Sequence, residues 1–165
     1  MTDKSAFNYD DRPTFDYNGY PVRAAGVIIY TTKFGKTLRL LRIVNHKIED
    51  IGGKTDAVDK TMFHTAAREA CEETNGKLFS SYHTRQQCFR ILLDLISNAA
   101  QMEYNKKCKY MLFKVYVHPD ILKEDMRRFG LEEKTDWGIL KHYYKWFRYK
   151  PLHHKLHFRL RNLNF

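Results

Sequence analysis

An α/β layered domain is the fold class this sequence predicts, on three observations. Short β-branched runs mix with segments of helical periodicity, one amphipathic helix is strongly marked over 60–75, and glycine, asparagine or proline turn formers separate the segments. A length of 165 residues points to one domain over 1–165, long enough to bury a core without staples. Apolar residues at 43% and charged residues at 29% match a water-soluble globular chain.

Residues 1–21 read as a polar, aromatic, slightly acidic N-terminal extension lying over the domain, closed by Asn18-Gly19 and Pro21. Val22 to Tyr30, small and then β-branched, predicts a buried strand. A turn follows around Gly35, a second strand covers Thr37 to Val44, and Asp50-Ile51-Gly52-Gly53 reads as a tight glycine turn. From Lys60 to Asn75, Met62, Phe63, Ala66, Ala67, Ala70 and Thr74 recur at helical spacing, and Asn75-Gly76 supplies a left-handed stop. Lys77 to Thr84 is a candidate strand, and Arg85 to Tyr104 suits either a buried helix or a strand. Cys108 to Val117 predicts a strand, a short helix is expected after Pro119, and Asp136 to Tyr149 predicts a second amphipathic helix.

Several function classes drop out at this stage. No run of about 18 apolar residues exists, which excludes a membrane-spanning helix, and Met1 to Asp11 carries no hydrophobic leader. Cys71, Cys88 and Cys108 are odd in number and lack zinc spacing, so reduced thiols in a cytoplasmic setting are expected. The net charge of +10 attracts phosphates of any kind without choosing among nucleic acid, nucleotides, inositol phosphates and anionic lipid.

The chemistry concentrates between Gly52 and Glu73. Glu69, Glu72 and Glu73 stand at i, i+3 and i+4 and share one helix face. Three like charges so placed repel unless something positive sits among them, and Arg68 is expected to relieve one at most. A divalent cation relieves them better, and oxygen ligands select magnesium or manganese. The plainer alternative is a solvated glutamate face, with Glu72 pairing Arg68. The glycine pair upstream weighs against that, because it places a sharp backbone, able to face a phosphate, beside the carboxylates.

Gly53, five residues, Asp59, and then Arg68-Glu69-Ala70-Cys71-Glu72-Glu73 together resemble the Nudix box: Gly, five residues, Glu, seven residues, Arg-Glu-aliphatic-x-Glu-Glu-x-Gly. This sequence departs from the pattern in three places. Asp59 replaces the first Glu, eight residues instead of seven precede Arg68, and Asn75 takes the position of the glycine. The resemblance spans about 22–117 as a fold and 52–76 as a motif. It implies an α/β/α sandwich with a mixed sheet and a metal-dependent hydrolase of diphosphate linkages using Mg2+ or Mn2+. Glu69, Glu72, Glu73 and Gly53 would be the metal site, Glu69 a ligand or base, and Arg68 would orient a glutamate. Asp59 either keeps the role of the family acid or caps the helix. Glu132 and Glu133 are candidates for a further acid from a distal loop.

Residues 141–165 hold seven Lys or Arg, four His and no acid, interleaved with aromatics. Such a basic, aromatic segment can track a phosphate backbone and stack bases. Lys54, Lys145, Arg148, Lys155 and Trp137 are therefore candidate substrate or RNA contacts; Tyr143, Trp146 and Phe147 also fit the core face of a final helix. The leading substrate is the 5′ end of RNA. The motif texture is similar to Nudix proteins of large cytoplasmic DNA viruses, several of which act on caps, which would place the chain in the cytoplasm of an infected cell. Free nucleotides, dinucleoside polyphosphates and diphosphoinositol polyphosphates are the alternatives, as is an inactive RNA-binding protein on the same scaffold. Homodimerisation is left open.

Overall fold

The computed structural model describes residues 11–80, 84–99, 101–122, 132–135 and 138–165. Side chains are described within 11–80, 84–98, 101–122 and 143–165. Among the described residues, ten strands run in chain order: β1 Phe15–Tyr17, β2 Tyr20–Val22, β3 Ala24–Lys33, β4 Lys36–Val44, β5 Lys47–Glu49, β6 Ile51–Lys54, β7 Gln101–Asn105, β8 Tyr110–Tyr116, β9 Glu132–Thr135 and β10 Gly138–Phe147. Two helices, α1 Met62–Glu73 and α2 Arg85–Ala99, lie between β6 and β7. The main sheet has the order β7-β8-β3-β4-β10-β9, with β5 paired to β4 and β6 to β3. Among the described strands only β3 and β8 form a parallel pair, so the sheet is mixed and the α/β class is as predicted. No helix of the described residues is long and apolar enough to cross a membrane.

β3 positions the site. Its first half, Ala24 to Val27, pairs with β6, and its second half, from Ile29 on, pairs with β4. β4 and β6 therefore splay apart at the middle of β3, and α1 packs across β3 and β6 at that point. The helix begins at Thr61, whose hydroxyl accepts the His64 N–H at 3.1 Å. A cap of this kind stabilises a helix by about 1 kcal/mol. It ends as expected at Asn75 (φ 54°) and Gly76 (φ 66°), where the Gly76 N–H reaches back to the Cys71 carbonyl at 2.8 Å.

Three segments differ from the sequence expectation, and two others are settled by the fold. Asp50 to Gly53 is not a turn: Ile51–Lys54 is strand β6, and its glycines have no left-handed backbone. They are needed for closeness, since a Cβ on Gly52 would stand 2.5 Å from Gly26 Cα across the pair. The helix expected over Asp136 to Tyr149 is a strand in its described part: Gly138–Phe147 is β10, with His142 to Phe147 paired to β4. Its described side chains alternate, Tyr144 and Trp146 facing α1 while Tyr143 and Lys145 are exposed. Aromatics at 143, 146 and 147 fit a helical repeat by coincidence. Lys77 to Thr84 makes a single bridge, Phe79 to Leu122, and no strand over its described residues. The segment 85–104 resolves into both alternatives, α2 followed by β7. After Pro119 the expected short helix is one 3₁₀ turn, Pro119–Ile121.

Two apolar cores flank the sheet. One holds α1 and α2 residues with Val27, Ile29, Leu40, Met111 and Phe113. The other, behind the sheet, packs Ile28, Leu41, Tyr110 and Leu112 against Leu156, Leu160 and Leu163. The second outer layer is thus the C-terminal segment itself, made of 3₁₀ turns at His153–Lys155 and Phe158–Leu160. Within the N-terminal extension, β1 and β2 form a hairpin, and Phe15 and Tyr17 pack on the first core.

Candidate active site

Arg68 stands at the centre of the carboxylates. Its Nε and Nη2 donate to the two oxygens of Asp59 at 2.8 and 3.1 Å. Its Nη1 donates to Glu69 and to Glu72, each at 3.2 Å, and Nη2 also reaches the Lys54 carbonyl at 3.0 Å. The expectation that Arg68 relieves one of the three glutamates at most is therefore corrected to two, with Asp59 as a further partner. A planar fork with five N–H groups can serve several acceptors at once, provided one acceptor locks its plane. Asp59 provides that lock: its side chain is fully buried and also accepts from the Asp56 N–H (2.9 Å) and the Thr65 hydroxyl (2.8 Å). Asp59 consequently does not cap α1; Thr61 does. Burial alone would raise the Asp59 carboxyl, but the hydrogen bonds from Arg68, Asp56 and Thr65, together with the Arg68 charge, hold it below its usual range.

Glu69 lies over Gly53, where a Cβ would come within 2.6 Å of the carboxylate. Burial raises the Glu69 carboxyl, opposed by Arg68 and assisted by Glu72. Glu72 is the solvent-facing member, its side chain 53% exposed. Glu73 turns inward. Its Oε1 accepts from Arg42 of β4 at 3.0 Å, and its Oε2 is buried with no hydrogen-bond partner among the described residues. Burial pushes this carboxyl well above its usual value despite Arg42. Tyr144 of β10 donates to the Glu73 backbone carbonyl at 2.6 Å, satisfying one acceptor that the helix end leaves open.

Behind Glu73 runs a buried polar chain. Arg42 Nη1 also meets Glu49 at 3.2 Å, Arg159 Nη2 approaches Glu49 at 3.8 Å, and Arg159 Nε donates to Asp50 at 2.8 Å. The Tyr110 hydroxyl donates to the other Asp50 oxygen. Arg159 also lies over the Tyr110 ring, 5.0 Å from its centre. None of Arg42, Glu49, Asp50, Tyr110 and Arg159 was singled out as a site residue by sequence. Adjacent acids Glu49-Asp50 entering an apolar strand were the one available signal.

Among the described residues, no three His, Cys, Asp or Glu side chains gather as a preformed metal cage. The donors nonetheless fit an oxygen-preferring divalent ion in type. Glu69 and Glu72 already converge on one positive nitrogen, and Glu73 Oε2 is an orphaned buried acceptor.

The other predicted residues scatter. Gly53 sits on β6 as the floor under Glu69. Lys54 is exposed beside the site and contributes its carbonyl. Lys145, Arg148 and Lys155 are exposed, the first two over the rings of Phe147 and Tyr149 at 5.6 and 5.3 Å. Glu132 and Glu133 lie on β9, but their side chains, and Trp137 entirely, fall outside the described residues. Tyr17 and Tyr20 pack with Tyr104 at 5.9 and 5.6 Å between ring centres.

A mixed sheet carrying a carboxylate-bearing helix over a splayed strand pair defines an α/β protein with an acidic site at the β6–α1 edge. No protein-family model matches the chain, and no curated protein does. Among solved structures it is similar to C. elegans Ap4A hydrolase in a binary complex and to the C. elegans Ap4A hydrolase crystal structure. The TM-scores are 0.43 and 0.44, each at 20% identity over 77% of this chain and 80% of the other.

Proposed function

We propose that this chain hydrolyses a diphosphate linkage in a nucleoside-diphosphate-type substrate, with the 5′ cap of RNA as the leading candidate. The observation that carries the reading is the convergence of Glu69 and Glu72 on Arg68 Nη1, one helical turn from the buried orphan oxygen of Glu73, in a segment that resembles the Nudix box. Solvated glutamates would diverge; these are held together by a brace. Glu69, Glu72 and Glu73 would hold Mg2+ or Mn2+, in reach of the β6 backbone at Gly53. When bound, such an ion neutralises the diphosphate and lowers the pKa of a coordinated water.

The residues of the chain do the rest. Asp59 anchors Arg68, and Arg68 sets the rotamers of Glu69 and Glu72. Glu69, whose carboxyl is raised by burial, would be the base that takes a proton from the attacking water. Arg42 holds Glu73 from behind. The basic surface supplies long-range attraction for a multiply charged substrate.

One observation favours a second reading, a binding protein on the same scaffold. Arg68 itself fills the point where Glu69 and Glu72 meet, so a cation of the protein already stands between those two carboxylates. The experiment incubates the protein with cap-labelled RNA, free cap dinucleotide, nucleoside triphosphates, dinucleoside polyphosphates and an inositol pyrophosphate, each with magnesium, manganese or chelator. Glu72→Gln and Glu69→Gln run in parallel, because Glu73→Gln also disturbs the Arg42 pair. Metal-dependent release of a capped nucleoside diphosphate, lost in both variants, supports decapping. Turnover of small substrates only removes RNA from the reading. RNA binding without any turnover selects the binding protein.

A further inference from the structure

A cleft of about 490 Å³ lies between the β7–β8 turn and the C-terminal segment. Its lining includes Lys106, Lys107 and Arg161, with His153 and the ring of Phe158, and no acidic residue. None of the three cations has a carboxylate partner among the described residues. Arg161 Nε meets only the Leu156 carbonyl at 3.2 Å, and Lys106 lies over the Tyr20 ring at 5.5 Å. Phe158 is 62% exposed, backed by His157 with ring centres 4.3 Å apart.

The two walls are tied together by one side chain. Asn105 Oδ1 accepts the Lys107 and Cys108 N–H groups at 3.1 and 3.2 Å, shaping the turn, while its Nδ2 donates to the Arg159 carbonyl at 2.9 Å, holding the other wall. Arg159 is in turn anchored on Asp50. The cations are therefore presented from a braced frame, which lowers the ordering cost of binding.

We propose that this cleft binds single-stranded nucleic acid, with adjacent phosphates on Lys106, Lys107 and Arg161 and a base stacked on Phe158. This rests on the RNA reading of the site and deepens it by naming where the chain beyond the 5′ end is held. Unpaired cations supply phosphate affinity and an exposed aromatic face supplies sequence-tolerant stacking, the combination that single strands require. An inositol polyphosphate shares the phosphates but offers no flat ring to Phe158.

The test measures fluorescence anisotropy of a labelled single-stranded RNA of about 12 nucleotides, within the usual footprint of such surfaces. Lys106→Glu/Lys107→Glu is expected to weaken binding about tenfold or more and to flatten the salt slope by about 1.4. Phe158→Ala is expected to weaken it roughly fivefold or more. Lys106→Gln/Lys107→Gln, milder for folding, is expected to give a smaller loss in the same direction. Lys36→Glu/Lys77→Glu, an equal charge change elsewhere on the exposed surface, is expected to stay within about twofold. Equal losses from both charge-reversed pairs would overturn the assignment in favour of diffuse attraction. Binding of inositol hexakisphosphate to the cleft with no effect of Phe158→Ala would overturn it in favour of a small polyphosphate. Turnover of free cap dinucleotide, followed in the same proteins, separates the two readings. Intact turnover with RNA affinity indifferent to the cleft defeats this inference alone; absent turnover with cleft-dependent RNA binding defeats only the hydrolase.

Discussion

The Arg159 guanidinium meets the Asp50 carboxylate at 2.8 Å across 109 residues of sequence, and through that contact the C-terminal segment becomes part of the wall behind Glu73. Asp50 is fully buried, and its other oxygen is taken by Tyr110. Removing Arg159 strands a buried carboxylate. Arg159→Met is expected to destabilise the fold by about 3–5 kcal/mol in urea unfolding, and Arg159→Met/Asp50→Asn to recover part of that loss. Simple additivity of the two single changes would show that the pair is not coupled.

Gly53→Ala is a sharper probe of the site than of the fold. Its methyl would lie 2.6 Å from the Glu69 carboxylate, which must swing off Arg68 to make room. Overpacking of this size costs about 1–3 kcal/mol of stability. Turnover is expected to fall by about a hundredfold, because a misplacement of about 1 Å is enough for that. Near-normal rates would mean that Glu69 is not needed where it stands.

Acid should reveal the Asp59 anchor. Its folded carboxyl titrates below the usual 3.8. A carboxylate so lowered adds stability that is present above the unfolded value and lost as pH falls through the folded one. Between pH 7 and 3, the wild-type denaturation midpoint is expected to drop more steeply than that of Asp59→Asn. Parallel curves would mean that Arg68 gains nothing from the ionised Asp59.

Divalent metal should act as a ligand of the folded state. Manganese or magnesium at a hundred times its dissociation constant would add about 2.7 kcal/mol, read as a rise in melting temperature that chelator reverses. Glu72→Gln and Glu69→Gln are expected to abolish most of the rise. Lys54, exposed beside the site with its carbonyl accepting from Arg68, is the control: Lys54→Gln should leave the rise intact.

How much of this was legible in advance depends on range. β3, β4 and β8 follow from apolar runs, and α1 from an apolar stripe with a left-handed stop at Asn75-Gly76. The shared face of Glu69 and Glu72 is an i, i+3 relation inside one helix, and Asp59 with Arg68 is nearly as local. The fork of Arg68 was undervalued because spacing gives neighbours and not the number of hydrogen bonds one guanidinium can make.

Sequence by itself thus determined the elements whose partners lie within a few residues: the acidic helix, its cap region and stop, and the apolar strands that receive it. Only the tertiary structure decided the rest. The aromatic run at 143–147 is compatible with a helix or a strand, and the open edge of β4 selects the strand. Gly52 and Gly53 look like a turn until β3 lies beside them, where absence of a Cβ is what lets the backbones and Glu69 approach. Glu73 is turned inward because Arg42 comes from β4, with Glu49 and Arg159 behind it, and those charges meet only once the sheet and the C-terminal segment have packed. Hydrophobic periodicity is local information, whereas the neutralisation of a buried charge is set by whichever distant group the fold delivers to it.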